Sequence, residues 1–281
     1  MNKITAIVIA KNEEDMIADC LDSLLFCNEV IVVDGGSTDR TVEIAKRMGA
    51  EVFVYQTDDF SEMRNFGLSK ATGEWVFYVD ADERATRELA HYIKYQISNI
   101  KYQDIVAFRV KRKNFYLGNC EWPYLEKIER LFRKNKLKGW QGKLHESPII
   151  EGKIGELNGF LLHYTHRDLS SMLKKTIEWS KIEAELRFEA GHPKMTWWRF
   201  PRVMITAFFD SYIRQQGWKV GTVGLIESVY QAFSMLVTYA RLWEMQQKLK
   251  MTHSVKLRPS ALRLRLEEVI LSKVEWMKNE K

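Results

Sequence analysis

Cysteine is scarce in this sequence of 281 residues: Cys20, Cys27 and Cys120 are an odd number without the spacing of metal ligands. They exclude a disulfide framework and read as thiols of a reducing compartment. No G-x-G-x-x-G follows the first apolar run, which argues against a Rossmann dehydrogenase. No G-x-x-x-x-G-K-[ST] occurs anywhere, which removes a P-loop NTPase. Internal repeats, low-complexity tracts and recognisable nucleic-acid modules are also missing, so nucleic acid is not an expected partner. Long uncharged apolar runs are lacking too. Asp210 and Arg214 interrupt one C-terminal run and Glu227 the next, so neither is expected to span a membrane.

What is present describes a folded protein. Hydrophobic residues make up 46% of the chain and charged residues 28%, a globular balance. The length suits one large α/β domain with an appendage, or two small domains. The start, Ile4 to Ala10, is too short an apolar run for a signal peptide and is ended by Lys11-Asn12-Glu13-Glu14. It reads as a buried strand, and the protein as cytoplasmic. The net charge of +6 is uneven: residues 1–166 sum to −2 and residues 167–281 to +8, with six of the nine tryptophans in the second part.

The first hundred residues alternate strand and helix. Runs at 4–10, Glu29 to Asp34, Glu51 to Tyr55 and Glu74 to Val79 predict buried strands. Helical spacing appears over 13–25, through Val42 to Met48, and from Ser61 to Ala71. This alternation implies a parallel sheet covered on both faces. Ligands of such sheets bind at the carboxyl ends of the strands. Asp34 and the segment Asp80 to Glu83 lie at such ends. Residues 105–165 predict an antiparallel extension with short strands at Ile105 to Val110, Glu129 to Phe132 and Phe160 to His163. From Leu169 the pattern is helical, broken at Pro193 and Pro201, with a final basic helix beyond Pro259.

Two features carry chemistry on their own. Asp80 and Asp82, at i and i+2 after a buried strand, can hold a hard cation that takes its other ligands from phosphate and water. A polar strand-to-helix junction is the plain alternative. Asp34, before Gly35-Gly36, can accept hydrogen bonds from a base or a ribose, or can cap a turn with Ser37 and Asp39.

The pieces Ile9-Ala10-Lys11-Asn12-Glu13-Glu14, Val32-Val33-Asp34-Gly35-Gly36-Ser37-Thr38-Asp39, Arg64-Asn65-Phe66-Gly67 and Asp80-Ala81-Asp82-Glu83 resemble, in order and spacing, the signatures of family-2 GT-A glycosyltransferases. Lys143-Leu144-His145-Glu146 and the aromatic C-terminal helices more loosely resemble the lipopolysaccharide-core β-glucosyltransferase subgroup. The resemblance implies an α/β GT-A fold with a mostly parallel central sheet and a helical C-terminal extension. Residues 1–165 would be the catalytic domain, with a nucleotide-sugar half (1–100) and an acceptor side (101–165); residues 166–281 would be the helical region. Ala10, Asn12, Glu13 and Asp34 would line the donor pocket, joined by Arg64, Asp80 and Ala81 toward the diphosphate. Asp80, Asp82 and His163 would hold Mg²⁺ or Mn²⁺, with His166 the second choice of histidine. Glu146, after Gly139-Trp140-Gln141-Gly142, fits the base that takes the acceptor proton, and His145 is the runner-up.

The implied reaction is inverting transfer of a hexose, with UDP-glucose the first donor, to a hydroxyl of a glycan or lipid-linked acceptor of the cell envelope. The rivals are a nucleotidyltransferase and an inactive sugar-binding protein. Arg109, Lys111, Arg112 and Lys113 form a basic cluster that is either a solvated face or a phosphate-binding one. Trp197, Trp198, Phe208, Phe209, Trp218 and Trp243, mixed with basic charge, predict helices lying peripherally on the inner face of the plasma membrane. Packing on the catalytic domain, or in a homo-oligomer, is the alternative.

Overall fold

The computed structural model describes residues 3–99 and 104–257. The final basic helix expected beyond Pro259 lies outside the described residues. In chain order the elements are β1 (Ile4–Ala10), α1 (Ile17–Asp22), β2 (Glu29–Asp34), α2 (Thr41–Arg47), β3 (Glu51–Val54), α3 (Phe60–Lys70), β4 (Trp75–Asp80), β5 (Glu83–Ala85) and α4 (Arg87–Ser98). There follow β6 (Ile105–Tyr116), β7 (Cys120–Glu121), β8 (Glu126–Arg133), β9 (Leu137–Gln141), β10 (Ser147–Ile150) and β11 (Lys153–Tyr164), then α5 (Leu169–Glu189), α6 (Arg199–Phe209) and α7 (Gly221–Leu257).

The main sheet runs β3-β2-β1-β4-β8-β6-β11-β5, with β7 paired to β6; β9 and β10 form a separate hairpin. Strands β3, β2, β1 and β4 are mutually parallel. Beyond β4 the sheet is mixed: β8 is antiparallel to both β4 and β6, β11 is parallel to β6, and β5 is antiparallel to β11. The parallel half is apolar on both faces because helices cover both. Alternate residues divide accordingly. Ile4, Ala6, Val8, Trp75 and Phe77 pack with Ile17, Cys20 and Leu21 of α1 and Leu89 and Ile93 of α4. Ile7, Ile9, Val76 and Tyr78 pack with Met63 of α3 and with Leu137 and Trp140 of β9.

The helix expected over 13–25 is shorter, because its first residues are drawn into a loop. Glu13 N–H donates to Thr41 Oγ1 and Glu14 N–H to Asp39 Oδ2, at 2.8 and 3.1 Å. The short strands expected at 105–110 and 160–163 are parts of two twelve-residue strands, β6 and β11.

The described residues divide into two compact units. The first contains residues up to Lys174 together with Phe209–Ser228; the second contains Lys175–Phe208 and the described residues from Val229 on. Within the first, Trp122 Nε1 donates to Gln215 Oε1 at 3.2 Å, and the Glu227 carboxylate meets His166. Within the second, Ala184, Met195, Tyr239 and Leu242 form a small core, and Met195 N–H donates to Gln246 Oε1 at 2.8 Å. The stretch Gly217–Lys248 is, by length and composition, apolar enough to cross a membrane. The sequence reading divided it at Glu227, which proves to be buried within the first unit.

Candidate active site

Strand register brings the donor-side residues together. Ala10 lies beside Asp34, and Ile9 beside Asp80. Gly35 N–H donates to Ala10 O, and Ala81 N–H to Ile9 O, at 2.8 and 3.1 Å. The carboxyl ends of β1, β2 and β4 therefore form one ledge.

Asn12 holds the loop above it in a left-handed conformation, φ 57°. Its N–H donates to Ser37 Oγ and its Oδ1 accepts from Thr38 N–H, both at 2.8 Å. Asp34 is buried and turned into its own turn, where Oδ2 accepts from Gly36 and Ser37 N–H at 3.0 and 2.9 Å. Of the two readings open for Asp34, the turn cap is the one its hydrogen bonds display. Gly36 has φ 87°, and a Cβ there would meet the Gln56 side chain at 2.7 Å, so this turn requires glycine.

Helix α3 starts after Asp59, whose carboxylate accepts from Ser61 and Glu62 N–H as an N-cap, and packs over β1 and β2. One turn on, Arg64 is buried between aromatic faces, 4.9 Å from the Trp140 ring and 5.7 Å from that of Tyr78. Its guanidinium joins two carboxylates. Nε donates to Glu146 Oε1 at 2.7 Å and Nη2 to Asp80 Oδ1 at 2.9 Å. Nη1 is buried with no hydrogen-bond partner among the described residues. Asn65 clasps β9, accepting from Trp140 N–H at 2.8 Å and donating to Trp140 O at 3.0 Å. Arg64-Asn65 thus hold the segment that ends in Glu146.

Asp80 is held from the other side by Arg130 of β8, at 2.6 Å. Burial alone would raise its carboxyl, but Arg130, Arg64 and Arg112 more than offset this and keep it well below the ordinary carboxylate range. Glu83 is fully buried. It accepts from Asp80 N–H at 3.0 Å, from Arg130 at 3.0 Å and from Arg112 at 3.1 Å. Arg112 also binds Glu126. Carboxylate and guanidinium alternate from Glu146 through Arg64, Asp80, Arg130, Glu83 and Arg112 to Glu126.

Asp82 faces a different partner. Its Oδ2 is 3.3 Å from His163 Nε2, and its carbonyl accepts from Tyr164 N–H at 2.9 Å. His163 Nδ1 meets Asn114 Oδ1 at 2.7 Å, while Asn114 Nδ2 donates to Glu126 at 3.2 Å. That second bond fixes the amide, so Nδ1 carries a hydrogen and Nε2 is the atom presented to Asp82. Glu13 pairs with Arg167 at 3.1 Å, and His166 Nδ1 lies 3.0 Å from Glu227.

The basic cluster is largely matched within the sheet: Arg109 binds Glu129, Arg112 binds Glu83 and Glu126, and Lys113 binds Glu121. Of the network, Arg130, Glu126 and Asn114 were not singled out from sequence. Arg130 carried a signal: it interrupts a strand between Ile128 and Leu131-Phe132, where a buried arginine needs acidic partners. Asn114 carried none, since a polar residue in a basic strand is unremarkable until β11 is paired to it. Among the described residues no three His, Cys, Asp or Glu side chains form a metal-binding group.

Residues 5–148 match the family described as Glycosyl transferase family 2. The chain is 28% identical to the lipopolysaccharide core biosynthesis glycosyltransferase LpsC of Rhizobium meliloti, over 92% of this chain and 95% of that protein. It is 30% identical to an uncharacterized glycosyltransferase of Rickettsia typhi, over 88% and 89%. A mannosyltransferase of Pyrobaculum calidifontis, solved with GDP-Man and Mn²⁺, is similar at 15% identity and a TM-score of 0.47, over 100% of this chain and 88% of that one. Three of the four motifs resembling a GT-A enzyme fall on the ledge and the fourth lies on α3, from which Arg64 reaches Asp80, on a parallel half-sheet that continues into a mixed one. The chain has the GT-A fold and belongs to glycosyl transferase family 2.

Proposed function

We propose that the protein transfers a hexose, with inversion, from a nucleotide-diphospho-sugar to a hydroxyl of a glycan or lipid-linked acceptor in lipopolysaccharide or related cell-envelope synthesis. UDP-glucose is the first donor to try. The observation that carries this reading is Arg64. It is one buried guanidinium that holds Asp80 and Glu146 and keeps a third nitrogen, Nη1, without an acceptor. A buried unsatisfied donor calls for a partner, and a diphosphate oxygen supplies one at the ledge where such ligands bind. The likeness to LpsC supports the cell-envelope setting.

The residues fit a divalent cation at Asp82 and His163. A carboxylate oxygen and an imidazole nitrogen face each other at 3.3 Å, with the other ring nitrogen already tied to Asn114. Asp80 does not fit as well, because a guanidinium holds each of its oxygens. We therefore assign Asp82 and His163 to the cation and Asp80 to the positioning of Arg64 and Arg130. Mg²⁺ or Mn²⁺, when bound, offsets the charge on the departing nucleoside diphosphate. Ala10, Asn12 and Glu13 shape the nucleoside side, with Asp34 shaping their loop from below and Ala81 flanking the diphosphate. Glu146 takes the acceptor proton. Because Arg64 binds its Oε1, the carboxylate is held in place until the acceptor arrives.

The test combines binding with turnover. Nucleotide-sugars are screened for a rise in melting temperature, with and without Mn²⁺, and transfer is then assayed with the best binder. A native-state ligand raises apparent stability. Glu146→Gln should keep the donor-dependent rise and lose about 10²-fold in kcat, the usual scale of a general base. If no nucleotide-sugar shifts the protein and none is turned over, the reading fails. If the donor shift disappears in Glu146→Gln, Glu146 is a donor ligand and the base lies elsewhere.

A further inference from the structure

Five consecutive residues at the end of β11 reach three separate parts of the first unit. His163 and Tyr164 contact Asp82. Arg167 binds Glu13. Between them, His166 binds Glu227, which lies in the helical insert 209–228 of the same unit. The segment 163–167 is thus shared by the cation pair, the nucleoside loop and the insert.

His166 is unusually constrained. It adopts φ 47°, which costs a branched or ring-bearing residue energy and persists only where the surroundings enforce it. Its ring stacks on Tyr116 at 5.3 Å. Its carbonyl accepts from Leu117 N–H at 2.9 Å. Its Nδ1 lies 3.0 and 3.1 Å from the two oxygens of Glu227, so that nitrogen is the donor and the carboxylate the acceptor. Glu227 is 1% exposed and interrupts an otherwise apolar stretch. A carboxylate is retained in such a place at a desolvation cost, and a fully apolar replacement of the Glu227–His166 pair would often serve stability equally well.

We propose that Glu227 is a positioning residue: through His166 it fixes the segment 163–167, and so sets His163 against Asp82 and Arg167 against Glu13. The helical insert then belongs to the architecture of the proposed donor site, which it reaches through His166. The inference rests on the glycosyl-transfer reading for its kinetic consequence and on geometry alone for its structural one.

Glu227→Leu and Glu227→Gln separate positioning from packing. Leucine fills the space and removes the acceptor; glutamine restores an acceptor oxygen without the charge. Glu227→Leu should fold with a lower melting temperature, because His166 Nδ1 loses its acceptor. Amide hydrogen exchange over 160–168 should quicken, with exchange in β1 and β4 unchanged. The donor kcat/KM should fall about tenfold or more, as misplacement of a site element does, mostly through KM. Glu227→Gln should recover most of both. Wild-type exchange and wild-type kinetics in a stable Glu227→Leu protein would overturn the proposal, leaving the pair as a packing detail. Should the wild-type enzyme itself turn over no donor, the glycosyl-transfer reading fails while the exchange comparison still decides whether Glu227 holds the segment.

Discussion

Asp80 and Asp82 stand two residues apart and answer to different neighbours. Removing the charge of Asp80 leaves Arg64 and Arg130 facing each other without their shared anion. Breaking a buried pair on one side costs about 3–5 kcal/mol. Asp80→Asn should therefore lower the melting temperature markedly, with activity lost alongside. Asp82→Asn should leave melting unchanged and remove most turnover, because an amide is not an anionic cation ligand. Thermal melts and transfer assays on the two variants check this; equal destabilisation by both would refute the division. The sign of the acid response follows from the same pairing. Asp80 has its carboxyl lowered in the folded state, so its contribution is present above the unfolded value of about 4 and is lost as pH falls through the folded one. The paired-aspartate spacing was legible in the sequence as a cation motif. That the two aspartates answer to different partners was not, because that depends on Arg130 and His163 arriving from strands far along the chain.

Helix α3 carries Arg64 and Asn65, and its distance from the sheet is set by Gly67. A Cβ at Gly67 would meet Ile7 Cγ2 at 2.5 Å and Val33 Cγ2 at 3.2 Å, both on buried strands. Two effects compete in Gly67→Ala. Helix propensity favours alanine by about 1 kcal/mol, whereas overpacking a filled core costs about 1–3 kcal/mol. Two branched methyls at fixed strand positions leave little room to yield, so overpacking should win. Gly67→Ala should melt lower than wild type, and the displaced helix should weaken donor binding; a more stable variant would show that α3 can lift without loss. The parallel strands were legible because burial on both faces leaves continuous apolar runs. The full lengths of β6 and β11 were not. Outer residues of β6 such as Arg112 and Lys113 are polar and are held by ion pairs that only the sheet pairing reveals.

At the scale of the whole molecule, both units expose large apolar side chains. Phe209, Ile213, Trp218 and Leu225 do so in the first, and Trp197, Trp198, Ile205 and Phe233 in the second. Trp197 is 83% exposed. From Ala190 to Phe209 there is no acidic residue, while Lys194, Arg199 and Arg202 are basic, and both arginines lie over the Trp198 ring. Aromatic and cationic groups together suit an anionic lipid surface. Purified protein should pellet with anionic vesicles and much less with neutral ones. Binding should fall, without vanishing, as salt shrinks the Debye length to about 3 Å near 1 M. Trp197→Ala with Trp198→Ala should weaken the salt-resistant part several-fold on the expectation for interfacial aromatics. Equal and negligible pelleting with both vesicles would instead leave these faces to a second copy of the chain.

The place of β11 in the sheet has a consequence in time. Among the described residues β5 has β11 as its sheet partner, and β11 enters between β5 and β6. A chain emerging from the ribosome can close β1 to β4 from local crossovers, whereas residues 83–85 must wait for residues 161–163. Pairings of such sequence separation form late. The ledge is therefore older, in the life of each molecule, than the grip on Asp82. A nascent chain stalled before β11 would carry the first without the second.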